Sequence, residues 1–159
     1  MVVVHKKEMI SLKNGLMLEE SNQTLKWGIN QEQAWRVSKP QHYLGKDDFS
    51  RIKWTEKILG GLRCGILAYL PENQSLERLH VWLIPPENTY PNTFWFAYMK
   101  IFNHLLKEIG SPEMKPVRGN FYAPFLTWRH DGCSLQLYCG ERHGEYTNLT
   151  INVGNKTEY

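Results

Sequence analysis

The feature that most constrains the fold is an amphipathic segment, residues 93–109, that is followed by a helix terminator and a hairpin pattern. At 100° per residue, its large apolar side chains fall in one broad sector and most of its polar side chains in the opposite one. Gly110 is well placed to end this helix. Residues 125–139 then alternate apolar and polar side chains around Asp131-Gly132, which is typical of a hairpin turn. A helix followed by antiparallel strands predicts an α+β fold.

Three further segments alternate with the period of a strand: residues 62–70, 79–84 and 149–153. In an antiparallel sheet, such alternation turns one set of side chains to the core and the other set to the opposite face. We therefore predict a single domain over residues 1–159. It consists of an antiparallel sheet with the 93–109 helix packed on one face and a short N-terminal helix.

The N-terminal part of the chain carries a turn signal and a capping signal. Asn14-Gly15 lies within a roughly alternating stretch, and this dipeptide predicts a hairpin of two short strands. Asn30, followed three residues later by Gln33, has the spacing of a capping box. This pattern predicts that the short helix begins after Asn30 and extends to about Val37.

The composition limits the classes of partner. The formal net charge is +3 over 159 residues, which is too small to indicate a nucleic-acid-binding protein. No run approaches the roughly 18 apolar residues that a membrane span needs. The short apolar run at residues 1–4 precedes the first charged residues, whereas a secretory signal has the opposite order. We therefore expect a cytoplasmic protein with no membrane partner and no nucleic-acid partner.

Catalytic and cofactor motifs are absent from the sequence: GxSxG, GxGxxG and the P-loop do not occur. Residues 141–145 place His143 between two carboxylates, which could provide general acid–base chemistry, although a solvated loop is the interpretation we favour. His130 and Cys133 flank the hairpin turn and would supply half of a zinc site at most. We predict a non-enzymatic protein without cofactor or metal, with the 141–145 loop of a small enzyme or ligand-binding domain as the alternative.

A second alternative concerns residues 51–57, where basic and aromatic side chains interleave. Arg51, Lys53 and Lys57 surround Trp54, and stacking on an aromatic ring beside cations is how proteins hold single strands. The small net charge favours a half-buried strand instead. A weakly basic nucleic-acid-binding domain therefore stays an alternative to the main prediction.

Strand alternation also predicts what the sheet carries on the face opposite the helix. If Leu135 and Leu137 face the helix, Gln136 and Tyr138 must face the other way. The resulting face has flat aromatics, hydrogen-bonding side chains and few acids, and binding hot spots are enriched in Trp, Tyr and Arg. The N-terminal hairpin or short helix could instead fold over this face. The candidate partner-binding residues are Arg63, Tyr69, His80, Trp82, Gln136 and Tyr138, with Ser134, Thr150 and Asn152 on the same predicted face.

Five short stretches also carry a family resemblance: Leu25–Asn30, Gly61–Ile66, Leu79–Trp82, Lys107–Pro112, and Trp128 with Cys133–Tyr138. In their order along residues 25–153 they resemble immunity proteins of bacterial polymorphic toxin and contact-dependent growth inhibition systems. The resemblance implies a protein that neutralises a cognate toxin by direct binding. It assigns no binding residue, because such proteins use different surfaces for different toxins. Many members that neutralise nuclease toxins are acidic, whereas this chain is mildly basic, which argues against a nuclease target.

Overall fold

The computed structural model of the chain describes residues 10–43, 47–84, 94–116, 123–141 and 145–154. Within these ranges the chain forms two helices and ten strands. In chain order they are β1 (Gly15–Leu18), β2 (Gln23–Lys26), α1 (Gln31–Ala34), β3 (Gln41–His42), β4 (Arg51–Ile58), β5 (Leu62–Tyr69), β6 (Arg78–Leu83), α2 (Phe94–Ile109), β7 (Glu113–Lys115), β8 (Phe125–His130), β9 (Cys133–Glu141) and β10 (Glu145–Val153).

Eight strands form one antiparallel sheet in the order β3-β4-β5-β6-β10-β9-β8-β7, and β1 and β2 form a separate two-stranded hairpin. The last strand, β10, lies between β6 and β9 and so joins the half of the sheet built before α2 to the half built after it. The predicted α+β fold is confirmed: a large antiparallel sheet with one main helix.

The inner face of the sheet, defined here as the face that α2 covers, holds the apolar core. α2 packs against β9 and β10, and its Ile101 and Leu105 are fully buried. The indole N–H of Trp128 in β8 donates a hydrogen bond to the Gly110 carbonyl oxygen at 2.8 Å. This bond fixes the end of the helix to the sheet. The sheet itself contributes Ile52, Trp54, Ile66, Val81, Leu126, Leu135, Leu137, Leu149 and Ile151 to the core.

The N-terminal segment covers the rest of the inner face. The indole N–H of Trp54, an inner-face residue of β4, donates to the Val37 carbonyl just after α1 at 2.9 Å. The thiol of Cys133, an inner-face residue of β9, donates to the Leu12 carbonyl just before β1 at 3.5 Å. The hairpin and α1 therefore lie on the same side of the sheet as α2, and not on the opposite face.

The predicted hairpin at Asn14-Gly15 is wrong. Gly15 is instead the first residue of β1 and pairs with Lys26 of β2, so the chain turns between β1 and β2, where Asn22 has a φ of 52°. A two-residue Asn-Gly turn requires a positive φ at both residues, and Asn14 does not have one. Gly15 serves a different purpose, because a Cβ there would collide with the Leu25 carbonyl of the paired strand.

The capping box is confirmed, although its helix is shorter than predicted. The Asn30 side-chain oxygen accepts from the Gln33 backbone N–H at 2.9 Å, and the Gln33 side-chain oxygen accepts from the Asn30 N–H at 3.0 Å. α1 nevertheless ends at Ala34 rather than near Val37. The two short edge strands, β3 and β7, have 2 and 3 residues and carry no strand pattern in the sequence.

Candidate functional site

The candidate site is the outer face of the sheet, defined as the face opposite α2. The pairing register aligns its side chains in rows that cross the strands. One row runs Lys53, Leu67, His80, Thr150, Gln136 and Thr127 from β4 to β8. A neighbouring row runs Arg78, Asn152, Ser134 and Arg129 from β6 to β8. Strand alternation in the sequence predicted five of these ten residues on one face: His80, Ser134, Gln136, Thr150 and Asn152.

The β8–β10 half of the outer face is a buried polar layer. We use this name for Thr127, Ser134, Gln136, Tyr138, Thr150 and Asn152, each at most 8% exposed. Short polar side chains on neighbouring strands pack side by side there, and hydrogen bonding between such groups offsets the loss of water. Two of the six predicted partner-binding residues, Gln136 and Tyr138, belong to this layer. Direct contact between them and a partner is therefore restricted by their burial.

Tyr138 is held on both sides within this layer. Its ring stacks on Phe125 of β8 with centroids 5.4 Å apart and planes 1° from parallel. Its hydroxyl oxygen accepts a hydrogen bond from the side-chain amide of Asn148 at 2.7 Å. The same amide nitrogen lies 3.4 Å from a ring nitrogen of His80. Asn148 thus links the buried polar layer to the other half of the face.

The β4–β6 half of the outer face is cationic, and we call it the cationic half. Its outward positions carry five Arg and Lys residues and no carboxylate: Arg51, Lys53, Lys57, Arg63 and Arg78. Two of these cations lie over aromatic rings. The Arg51 guanidinium is 5.8 Å from the ring centre of Tyr69, and the Lys53 ammonium is 5.7 Å from that of Trp82. The ring of Tyr69 is 58% exposed, so this half offers aromatic surface to a partner.

Trp82 is seated in a gap that a glycine leaves. It pairs with Gly65 of β5, and a Cβ added at Gly65 would overlap the indole ring. The edge of Tyr43 approaches the ring from the side, with centroids 6.4 Å apart. Trp82 is thus half-buried and its orientation is fixed by its neighbours.

The structure therefore brings Tyr69, His80 and Trp82 together on neighbouring strands of the cationic half. Arg63 lies on the same strand as Tyr69 but at its opposite end, where it forms an ion pair with Glu20 of the N-terminal segment at 2.5 Å. The register thus separates Arg63 from the other three residues. A partner-binding role for all six residues stays a prediction.

A cavity of about 250 Å³ opens between the cationic half and the segment that precedes β6. It is lined by Tyr69, Gln74, Ser75, Glu77, Arg78, His80 and Asn152, and we call it the Arg78 cavity. Arg78 escaped the sequence analysis because β6 was predicted to begin one residue later, at Leu79. Alternation from His80 would have placed Arg78 on the same face.

Asn152 lines this cavity and carries an unpaired donor. Its side-chain oxygen accepts from the Arg78 Nε–H at 2.6 Å. Its amide nitrogen is buried, and no acceptor within the described residues pairs with it. Because an arginine nitrogen can only donate, the atom that faces Arg78 must be the oxygen, and this assigns the other position to the nitrogen. Buried polar groups usually have partners, so this amide marks a place where an acceptor is missing.

The thiols are unsuited to nucleophilic chemistry. Cys64, Cys133 and Cys139 are all free and buried. Burial, and to a smaller extent the nearby Glu19 charge, raises the pKa of the Cys64 thiol to about 12. Burial also raises the pKa of Cys133, with the Asp131 charge adding to the effect. A thiol with a raised pKa is almost fully protonated at neutral pH and reacts poorly.

The other candidate clusters are either incomplete or lie outside the described residues. His130 and Cys133 pair across the hairpin, but the His130 Nε2 atom lies 2.5 Å from the Ile10 carbonyl oxygen. In the part of the chain that the structure describes, no group of three or more His, Cys, Asp and Glu side chains could hold a metal ion. For the 141–145 loop, His143, the acid–base residue of the alternative function, lies outside the described residues.

Comparisons with known proteins find no relatives: no protein-family model, curated protein or solved structure matches this chain. Among the described ranges, no helix is both long enough and apolar enough to cross a membrane. The main helix, α2, has 16 residues and leaves Lys100 and Lys107 exposed on its polar side.

Proposed function

We propose that this chain is a non-enzymatic protein-binding module, an immunity protein that binds a cognate bacterial toxin in the cytoplasm and blocks its active site. The observation that carries the proposal is the cationic half of the outer face. There, Tyr69 and Trp82 lie among arginines and lysines with no outward carboxylate between them. Tyr, Trp and Arg are the residues that most often dominate the energy of protein interfaces.

The packing of aromatic side chains in this half supports a role in binding. The Trp82 ring is fixed over Gly65, and Arg51 lies against Tyr69. Side chains that are ordered before binding lose little conformational entropy when a complex forms. The resemblance to immunity proteins and the absence of catalytic motifs from the sequence point in the same direction.

The charge of this half defines the partner. Interfaces pair surfaces of opposite potential, which speeds association and rejects wrong partners. The cognate toxin should therefore present an acidic surface around its active site. Nuclease toxins bind phosphates and fit this description poorly, so we propose a toxin of another activity.

The test is a binding experiment with the product of the adjacent upstream gene. The two proteins should co-purify, and the immunity protein should restore growth to cells that express the toxin. Tyr69→Ala and Trp82→Ala should each weaken the complex by about 2 kcal/mol, which is roughly thirtyfold in affinity. Phe96→Ala provides a matched control, since Phe96 is 45% exposed on α2, on the other side of the sheet.

Two results would count against this proposal in different ways. If the two proteins do not associate, the assignment as an immunity protein to that toxin is wrong. If they associate but the Tyr69 and Trp82 variants bind like the wild type, the interface lies elsewhere. If Phe96→Ala lowers the affinity of the complex more than Tyr69→Ala does, the interface lies on α2 instead.

A second candidate is a nucleic-acid-binding module around residues 51–57. The contacts of Arg51 with Tyr69 and of Lys53 with Trp82 favour it, because cations beside stacking rings hold single strands. Its test is a titration with a single-stranded oligonucleotide at several salt concentrations. Phosphate contacts would give affinity that falls steeply with salt, and weak binding with a flat salt response would exclude the module.

A further inference from the structure

The size of the Arg78 cavity suits one side chain better than a free ligand. Its volume is about 250 Å³, whereas pockets for small-molecule ligands measure roughly 300–1,000 Å³. The cavity also opens beside the exposed ring of Tyr69, on the surface that the proposed partner would cover. A protruding side chain of a partner could therefore enter it while the surrounding surfaces meet.

The unpaired amide of Asn152 determines what the occupant must present. Asn152 is 2% exposed, and its nitrogen has no acceptor among the described residues. A buried donor without an acceptor is unfavourable, and a group that supplies an oxygen relieves the penalty. Arg78 lines the same cavity and carries a guanidinium whose fork of N–H donors matches a carboxylate. The occupant should thus offer oxygen acceptors to Asn152 and Arg78 together.

The carboxylate of Glu77 limits the negative charge that an occupant can carry. Arg78 lines the cavity, whereas Arg51, which lies over the ring of Tyr69, already has an Asp48 carboxylate oxygen 3.9 Å from its Nε atom. Glu77 is the one carboxylate among the lining residues. It opposes a phosphate, which carries up to two negative charges, more strongly than it opposes a carboxylate.

We propose that the Arg78 cavity is a specificity pocket that receives the carboxylate of one Asp or Glu side chain of the partner protein, with Asn152 and Arg78 as its donors. This inference rests on the proposed function, because it names the chemistry by which the toxin is recognised. An acidic side chain at the centre of the toxin surface then fixes the register of the complex, and a toxin without it is rejected because the Asn152 amide stays unpaired.

The test uses the isolated chain and two small probes, so that it does not depend on finding the toxin. ¹⁵N-labelled protein is titrated with N-acetyl-aspartate N-methylamide and with the matched N-acetyl-glutamate compound. The side-chain amide of Asn152 is followed directly by NMR. We expect a saturable shift of this amide with at least one of the two acids. N-acetyl-asparagine N-methylamide, the neutral control of the same shape, should bind about tenfold more weakly.

Two variants separate the cavity from general electrostatic attraction. Arg78→Gln should weaken binding of the acidic probe about tenfold, since it removes the paired charge. Arg129→Gln is the matched control, because Arg129 ends the same row of the outer face on β8 but does not line the cavity. It should leave the binding of the probe unchanged.

Several outcomes would overturn the inference. If neither acid causes a saturable shift of the Asn152 amide, the cavity is not a carboxylate pocket. If the asparagine probe binds as tightly as the acids, the cavity has no preference for a charged occupant. If inorganic phosphate binds more tightly than either acid, the cavity is a phosphate site, which would favour the nucleic-acid-binding function. None of these results decides whether the chain binds a toxin, which co-purification and the Tyr69 and Trp82 variants test separately.

Discussion

Replacement of Tyr138 by alanine should destabilise the protein strongly, although this residue lies on the face of the sheet opposite the helix. Its side chain is only 8% exposed and stacks on Phe125 in a nearly parallel arrangement. Its hydroxyl accepts from the Asn148 amide. The substitution therefore opens a cavity and leaves a partly buried amide without that acceptor. If Tyr138 were instead a partner contact on an open face, Tyr138→Ala would stay folded and lose partner binding.

The magnitude follows from three contributions. Truncation of a buried large aromatic side chain to alanine costs about 3–5 kcal/mol, and a stacked pair adds roughly 1 kcal/mol beyond the area that it buries. Loss of the hydrogen bond adds about 1 kcal/mol. Because these terms overlap, we expect a total loss of about 4 kcal/mol in the free energy of unfolding. Tyr138→Phe keeps the ring and should lose about 1 kcal/mol, the share of the hydroxyl.

Tyr69→Ala is the matched control, since it makes the same substitution on the same face at a residue that is 58% exposed. It should change stability by no more than about 0.5 kcal/mol. The assay is equilibrium unfolding in urea followed by circular dichroism, with the m-value compared between variants. If Tyr138→Ala lost no more stability than Tyr69→Ala, the packing of Tyr138 within the buried polar layer would be refuted, and this residue would be open to a partner.

Three further predictions concern other parts of the fold. Gly65→Ala should lower stability by about 1–3 kcal/mol and change the tryptophan fluorescence, because the new Cβ meets the ring of Trp82; an unchanged emission spectrum would contradict this. Stability should fall from about pH 9 towards pH 12, because burial raises the pKa of both Cys64 and Tyr98 to about 12. The unfolded chain releases these protons first, and urea midpoints between pH 8 and pH 11 that do not fall would refute it. Asn30→Ala should cost about 1 kcal/mol by removing the capping box, whereas Asn30→Asp, which keeps an acceptor, should cost much less.

The inner face could be predicted from the sequence because its signal is local. Alternation in β5 and β9 assigned Ile66 and Leu135 to the core, and the period of α2 identified the helix that covers them. The outer face required information that alternation does not contain. Gln136 is buried because Thr127 and Thr150 lie beside it on β8 and β10. The position of β10 between β6 and β9 is a property of topology, and no local pattern predicts it.

Two errors of the sequence analysis have specific physical causes. Asn14-Gly15 has the composition of a tight turn, but the backbone of Asn14 keeps a negative φ, and the glycine is needed for the close approach of β2. Arg78 was missed because strand ends carry little periodic signal, so a boundary displaced by one residue removed a cavity residue from the predicted face. Asn152 was placed on the correct face, but its unpaired amide depends on a contact 74 residues away in the chain.

The hydrogen bond between Arg78 and Asn152 crosses the boundary between the two halves of the outer face. On one side, Asn152 belongs to a buried polar layer whose neighbours restrict its motion. On the other side, Arg78 belongs to the exposed cationic half. A partner that engages Arg78 therefore meets a guanidinium already oriented by a rigid part of the sheet, and the entropy lost on binding is correspondingly small. The buried polar layer then contributes to recognition chiefly by holding Asn152 and Arg78 in place at the edge of the surface that the partner covers.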